Sequence, residues 1–227
     1  MSPTFTLVDA LALRDLQVYL SRAARIEEGS VRLIASGGIL AVYVAVIYPM
    51  GLLDEVPTVL GLRTFAMSEK DAFDAVVPVR SLLERVNRAQ EAVHDLSVPV
   101  QLSLPMGVNT VTWAAISPPK GGWVTHKPTH AGVLSQVAKA GIDEVAAAVP
   151  TGTGQQIVHR VRSEVWGREI PGLEHVPAGA GFAALSLGFL GEDDNDEVRI
   201  YETGPWTRLT SARGHVLVKR KAWTLAR

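Results

Sequence analysis

The sequence predicts an α+β fold, with mixed and antiparallel sheet lobes and about five helices. Three observations carry that expectation. Segments with apolar residues at helical spacing are interspersed with short runs that alternate or end at turn residues. Hydrophobic residues make up 47% of the 227 and charged ones 20%, which supports a sizeable core and excludes wholesale disorder, collagen and coiled-coil composition. Finally, Val31-Arg32-Leu33-Ile34-Ala35-Ser36-Gly37 lines up with Val198-Arg199-Ile200-Tyr201-Glu202-Thr203-Gly204 at an offset of 167. Each copy follows an apolar helical stretch and an acidic loop and precedes another strand. A helix–hairpin unit is therefore expected twice, with a pseudo-twofold pairing of the two ends of the chain.

Leu13, Leu16, Leu20 and Ala23/Ala24 recur at helical spacing, predicting a helix from Asp9 to Arg25 that Glu28-Gly29 stops. Val31–Ser36 and Ile39–Tyr48 read as a hairpin about Gly37-Gly38, which supply the positive φ of a tight turn. Val59–Met67 reads as a third strand. Pro78 is expected to open the next helix, where its missing N–H is an orphan anyway. Val79, Leu82, Leu83, Val86 and Val93 line one face of that helix, and Arg80, Glu84, Arg85, Arg88 and Glu91 the other, with Glu84 and Arg88 as an i,i+4 pair.

Val98, Val100, Leu102 and Leu104 alternate with Pro99, Gln101, Ser103 and Pro105, which gives a strand placed at an edge by its prolines. Asn109–Ser117 reads as another strand. Pro118-Pro119-Lys120-Gly121-Gly122 can continue neither regular structure and is the expected boundary. It divides an N-terminal α+β lobe, 1–119, from a C-terminal part, 120–227, made of a helical pair, an apolar helix and a β-meander; the alternative is one compact domain.

In the second part, Leu134, Val137, Ala138, Gly141, Val145 and Val149 mark a helix ended by Pro150. Thr151-Gly152-Thr153-Gly154 leads into another, with Ile157, Val158, Val161 and Val165 on one side and Arg160, Arg162 and Glu164 outside. Ala178–Leu190 carries no charge, so as a helix it must be wrapped on every side. Val198–Thr203, Trp206–Thr210 and His215–Lys221 form a meander that turns at Gly204-Pro205 and Arg213-Gly214.

Zero Cys excludes disulfides, thiolate metal sites and cysteine nucleophiles. Net charge of −1 means that the chain as a whole does not attract polyanions. Arginine outnumbers lysine 16 to 6 and Asn occurs three times, the bias of GC-rich coding, so the arginines alone do not argue for phosphate binding. A bacterial, cytoplasmic protein is the expectation. Met1–Thr6 has no positive charge and does not read as a secretory signal. Leu33–Leu53 is uncharged and long enough to span a bilayer, but Ser36-Gly37-Gly38 and Pro49-Met50-Gly51 punctuate it. Its unbroken part, Ile39–Tyr48, suits a strand buried on both faces.

No family motif can be quoted from these residues, and neither a nucleophile elbow nor a dinucleotide fingerprint is present. His126 and His130 have the spacing of two ligands on a helix, but Pro128 and Lys127 lie between them, and a solvated loop is the expectation. Thr151, Gly152, Thr153 and Gly154 precede a helix, where an anion is favoured, but Gln155 stands where a phosphate loop needs Lys; the plainer reading is an N-cap by Thr153. Lys120, beside Trp123, could form a cationic lip over a pocket or belong to a linker whose Trp packs on the core. Glu192, Asp193, Asp194, Asp196 and Glu197 lack the calcium-loop pattern and read as a solvated loop.

From Val198 to Arg227 seven basic residues stand against one acid, Glu202, and are interleaved with Tyr201, Trp206 and Trp223. Arg208, Arg213, Lys219, Arg220, Lys221 and Trp223 are thus the candidate contacts for nucleic acid or another acidic partner. A winged-helix reading fails, because Ala178–Leu190 has no charged or amide side chain to read a groove.

The leading expectation is a cytosolic, non-enzymatic binding or assembly protein with no cofactor, no metal and no membrane partner. Its apolar runs exceed what a small monomer needs to bury, which points to a homodimer. One alternative is a nucleic-acid-associated protein using the basic C-terminal strands. Another is an enzyme acting on a phosphorylated or acidic small molecule held between Lys120 and the Thr151–Gly154 turn.

Overall fold

The computed structural model describes residues 3–26, 29–51, 54, 56–108, 111–150 and 152–220. Its elements run β1 (Thr4–Leu7), α1 (Ala10–Ile26), β2 (Ser30–Ser36), β3 (Ile39–Ile47), β4 (Thr58–Ala66), β5 (Phe73–Pro78), α2 (Val79–Ala92), β6 (Val100–Ser103) and a 3-10 turn at Thr112–Ala115. Then follow β7 (Val124–His130), α3 (Ala131–Ala148), α4 (Gln155–Gly167), β8 (Glu169–Ile170), β9 (Leu173–Pro177), α5 (Ala178–Ser186), β10 (Glu197–Thr203), β11 (Trp206–Thr210) and β12 (His215–Lys219). Five α-helices with antiparallel sheets make the α+β fold that the sequence predicts. The chain forms two units, Met1–Val44 with Leu62–Ile116, and Ala45–Gly61 with Ser117–Arg227, so that β3 and β4 contribute residues to both.

In the first unit α1 starts where Asp9 Oδ1 accepts the Ala12 N–H at 2.7 Å, an N-cap that satisfies one orphan donor. Leu13, Leu16, Tyr19, Leu20 and Ala23 form its buried stripe, against α2. The Tyr19 hydroxyl donates to the Val42 carbonyl at 3.4 Å, and burial pushes the phenol pKa up. The β2–β3 hairpin closes on Gly37 (φ 62°) and Gly38 (φ 83°), the two positive φ values of a type I′ turn. Strand order here is β5-β2-β3-β4, and β1 with β6 makes a separate two-stranded ladder, as the prolines around β6 require.

Four readings of this half need correction. Phe73–Pro78 is a strand paired with β2, and Pro78 is its last residue, an extended N-cap (φ −60°, ψ 130°) of α2 and not the first helical residue. The Arg88 Nε donates to the Glu84 backbone carbonyl at 3.3 Å, so this guanidinium serves the helix backbone. The expected strand at Asn109–Ser117 is replaced by the 3-10 turn, with Asn109 and Thr110 outside the described residues. Its N–H groups bond locally, Ala114 to the Val111 carbonyl and Ile116 to that of Trp113, while buried Trp113 anchors the turn. Finally, β3 alternates over Ile39–Tyr43 and is buried on both faces only over Val44–Ile47. Among the described residues no helix is long and apolar enough to cross a membrane.

In the second unit the order is β4-β12-β11-β10-β7, and β8 pairs with β9. Helix α5 is buried by its neighbours α3, α4 and β12. A Cβ on Gly181 would stand 2.9 Å from the Leu134 carbonyl oxygen, so glycine is needed for that approach, and one on Gly179 would press on the Trp166 carbonyl oxygen at 3.0 Å. The helix ends at Ser186, short of the predicted Leu190. Gly188 takes φ 75°, and the Phe189 N–H returns to the Ala184 carbonyl at 2.8 Å. The α4 N-cap is Gly154, because the Thr153 hydroxyl donates to the Pro150 carbonyl at 2.7 Å; Ile157 is 57% exposed, leaving Val165 and Trp166 as the buried residues of α4.

Val124–His130 is a strand where a loop was expected. It is the edge of its sheet, and its register to β10 shifts between Val198 and Ile200, a bulge that leaves room for Pro128.

The order strand, helix, three-stranded meander occurs twice, as β1-α1-β2-β3-β4 and β9-α5-β10-β11-β12. The offset of 167 carries β2, Ser30–Ser36, onto β10, Glu197–Thr203, and in both strands the residues at the echoed Val and Leu/Ile positions are buried: Val31 and Leu33, Val198 and Ile200. The echoed helix–hairpin unit is a feature of the fold.

Candidate functional site

The three C-terminal strands put the basic residues on one face. Antiparallel register sets Arg199 opposite Thr210 and Thr210 opposite His215; Tyr201 opposite Arg208 and Arg208 opposite Leu217; Thr203 opposite Trp206 and Trp206 opposite Lys219. Directly opposed residues share a face, so Arg199, Tyr201, Arg208, His215 and Lys219 do too. The other face holds Val198, Ile200, Leu209, Val216 and Val218, all buried.

Arg208 is the centre of this face. Its guanidinium lies 4.5 Å from the ring centroids of both Tyr201 and Trp123. Trp123 is held in turn by its Nε1–H, which donates to the Pro119 carbonyl at 3.2 Å. Gly122 (φ 78°) gives the preceding loop its bend, where a Cβ would sit 3.3 Å from Thr203 Oγ1. Desolvation lowers the Arg208 pKa, and its Nε is buried without a hydrogen-bond partner. Burial first, then the positive charges of Arg208 and Arg199, hold the His215 pKa below its ordinary value; its Nδ1 lies 3.0 Å from Thr210 Oγ1.

The remaining candidates fall around this centre. Lys219 is half-buried at the end of β12, and Arg220 donates from Nη2 to the Gly204 carbonyl at 2.7 Å while its Nε is buried and unpartnered. Arg213 is exposed in the turn between β11 and β12. Lys221, Trp223 and Thr151 lie outside the described residues. Lys120 is exposed at the head of the Trp123 loop, while Gly152 (φ 91°), Thr153 and Gly154 form the turn before α4; no hydrogen bond or ion pair among the described residues joins the two loops.

The acidic run has a local task. The Ala131 and Gly132 N–H groups at the start of α3 donate to the backbone carbonyls of Asp196 and Asp194, both at 2.9 Å, which satisfies two orphan donors of that helix. The two histidines part company. His130 Nδ1 lies 3.2 Å from the Asn195 carbonyl, and His126 Nε2 is 3.5 Å from Glu202 Oε2. Glu202 Oε1 also meets His175 Nδ1 at 3.0 Å, where His175 holds a left-handed φ of 62°. His159 stands 3.4 Å from Ser163 Oγ and 3.5 Å from Asp54 Oδ2. Among the described residues no group of three or more His, Cys, Asp or Glu is arranged to hold a metal ion. The clustering of Arg208 with Trp123 had no sequence signal, since only the β7–β10–β11 pairing brings the two together.

Two family models match the chain, each over a little less than half of it: Domain of unknown function (DUF8010) over residues 1–106 and Domain of unknown function (DUF8185) over 118–223. No curated protein matches. Among solved structures, the chain is similar to the DNA polymerase sliding clamp from Caulobacter crescentus, at TM-score 0.52 and 15% identity, covering 96% of this chain and 65% of that one. It is similar to the pol III beta of Caulobacter crescentus at TM-score 0.53 and 12% identity, covering 99% and 66%. The DNA polymerase III subunit beta from Pseudomonas aeruginosa gives TM-score 0.50 at 14% identity, covering 99% and 66%. The chain shares its fold with DNA polymerase sliding clamps. It spans just under two thirds of the length of these clamps, and at such identities the likeness is one of fold alone.

Proposed function

We propose that this chain is a non-enzymatic, DNA-associated assembly protein of the cytosol that works as a homo-oligomer. The observation that carries this reading is the fold shared with DNA polymerase sliding clamps over nearly the whole chain. The first unit offers a surface for it: α1 exposes Arg14, Arg22 and Arg25, and its one acid, Asp15, is paired with Arg63. Such a row contacts phosphates without reading sequence. We also propose that the chain divides at 119/120, so that limited proteolysis cuts first within Pro118–Gly122.

Two measurements test the function. Native mass spectrometry should give a whole multiple of 24.4 kDa greater than one. A labelled DNA duplex should bind with an affinity that falls steeply with salt, and replacing Arg14, Arg22 and Arg25 together by Gln should flatten that dependence. A monomer that leaves the duplex unbound at low salt would overturn the reading.

A further inference from the structure

We infer that the face of β10, β11 and β12 carrying Arg199, Arg208 and Lys219 docks an acidic segment of a partner protein, with Arg208 as its anchor. The first ground is the anchor's build. Arginine and two aromatic rings at the centre of a half-buried patch are the residue types that dominate binding energy at protein interfaces. Stacked between Tyr201 and Trp123, the Arg208 guanidinium has little freedom left to lose, and its planar edge fits the two oxygens of a carboxylate.

The second ground is uncompensated charge. Arg32 and Arg199 occupy equivalent positions of the repeated strand, yet Arg32 is held by Asp74 through Nε at 2.8 Å and Nη2 at 2.6 Å. Arg199 is exposed, and among the described residues no acid pairs with it, Arg208, Lys219 or Arg220. One copy of the unit brings its own carboxylate, and the other leaves that role to a partner. The His215 pKa is lowered by burial first and then by the positive charges of Arg208 and Arg199.

The occupant that fits is a short acidic peptide segment and not nucleic acid. Arg208 covers the ring faces that turn toward the cations, which closes them to a stacking base. The exposed acids Glu192, Asp193, Asp194 and Asp196 lead straight into β10, where Glu197 shares a face with Arg199 two residues on. A duplex carries a charge every ~1.7 Å and would run on over these carboxylates, whereas a short segment can end before them.

The test is fluorescence anisotropy of a labelled decaglutamate peptide with the full chain at low salt, beside a labelled DNA duplex. Arg199→Gln and Arg208→Gln should each weaken peptide binding by about fivefold or more, and Arg208→Lys should weaken it too, because an ammonium lacks the planar fork. Duplex binding should stay at the parent's level in all three. Arg199 is exposed, so its variant keeps the test alive if Arg208→Gln does not fold. Absence of peptide binding to the parent, or variants that bind the peptide as the parent does, would overturn the inference. So would duplex binding that depends on Arg199 and Arg208. Peptide binding without any duplex binding would leave this inference standing while the DNA reading fell.

Discussion

Helices α1 and α5 hold the same place in the chain order, each between a strand and a three-stranded meander, yet they are buried by opposite means. Helix α1 has 17 residues and one apolar stripe, Leu13, Leu16, Tyr19 and Leu20, and it leaves Arg14, Val18, Arg22 and Arg25 in solvent. Helix α5 has nine residues, with Ala178, Gly179, Ala180, Gly181, Ala183 and Ala184 all buried. The difference follows from what surrounds each. One side of α1 is open, so large side chains must cover the other, each contributing about 1.5–3 kcal/mol on full burial. Helix α5 is enclosed by α3, α4 and β12, so backbone-to-backbone approach replaces side-chain bulk, and dispersion over many close contacts does the holding. Topology fixes where a helix stands; the number of sides covered decides which residues it can carry.

Substitution should separate the two modes. Leu20→Ala in α1 leaves a cavity in a fully buried site and should cost about 2–5 kcal/mol in a urea melt. Gly181→Val adds bulk against the Leu134 carbonyl and should cost about 1–3 kcal/mol or more. A Gly181→Val protein as stable as the parent would break the comparison, because α5 would then have room to spare. The N-cap gives a smaller handle on the same contrast. Asp9→Ala removes the acceptor for the Ala12 N–H and should cost about 1 kcal/mol, whereas α5, whose N-cap Pro177 makes no side-chain bond, has no such lever.

The same contrast explains what the sequence shows and what it hides. α1, α2, the β2–β3 hairpin and the final meander are legible because a one-sided burial writes a period into the residues, and because Gly37-Gly38 and Gly204 mark their own turns. β7 leaves no such trace. Val124–His130 is exposed nearly throughout, contains Pro128, and is a strand only through its hydrogen bonds to β10, about seventy residues away in sequence. Phe73–Pro78 is hidden likewise, since Pro78 reads as a helix opener until β2 is placed beside it. At the candidate face, composition alone picks out Arg208, Lys219 and Arg220. Arg199 is passed over because its distinction from Arg32 is the lack of an Asp74, and that is a fact of pairing between strands.

The smallest predicted effect turns on that last pair of positions, and it separates the two copies of the repeated strand by pH. The His215 pKa is lowered in the folded chain by burial, Arg208 and Arg199. As pH falls below the ordinary histidine value of about 6.5, the unfolded chain takes up a proton that the folded chain resists, so stability declines with acidification. His215→Gln should remove that decline and leave the stability between pH 7 and 8 changed by a constant. Asp74 titrates lower still, its pKa depressed chiefly by the hydrogen bonds from Arg32. Its stabilisation is complete above the ordinary aspartate range near 4 and is lost as pH falls through the folded value, a modest loss because the Asp74 carboxylate is half-exposed. Urea midpoints across pH 3–8 should therefore show two steps, the upper one absent in His215→Gln and the lower one reduced in Asp74→Asn. If His215→Gln kept the upper step, another group would be responsible for it, and the burial of His215 beside Arg208 and Arg199 would not set the pH dependence of this strand apart.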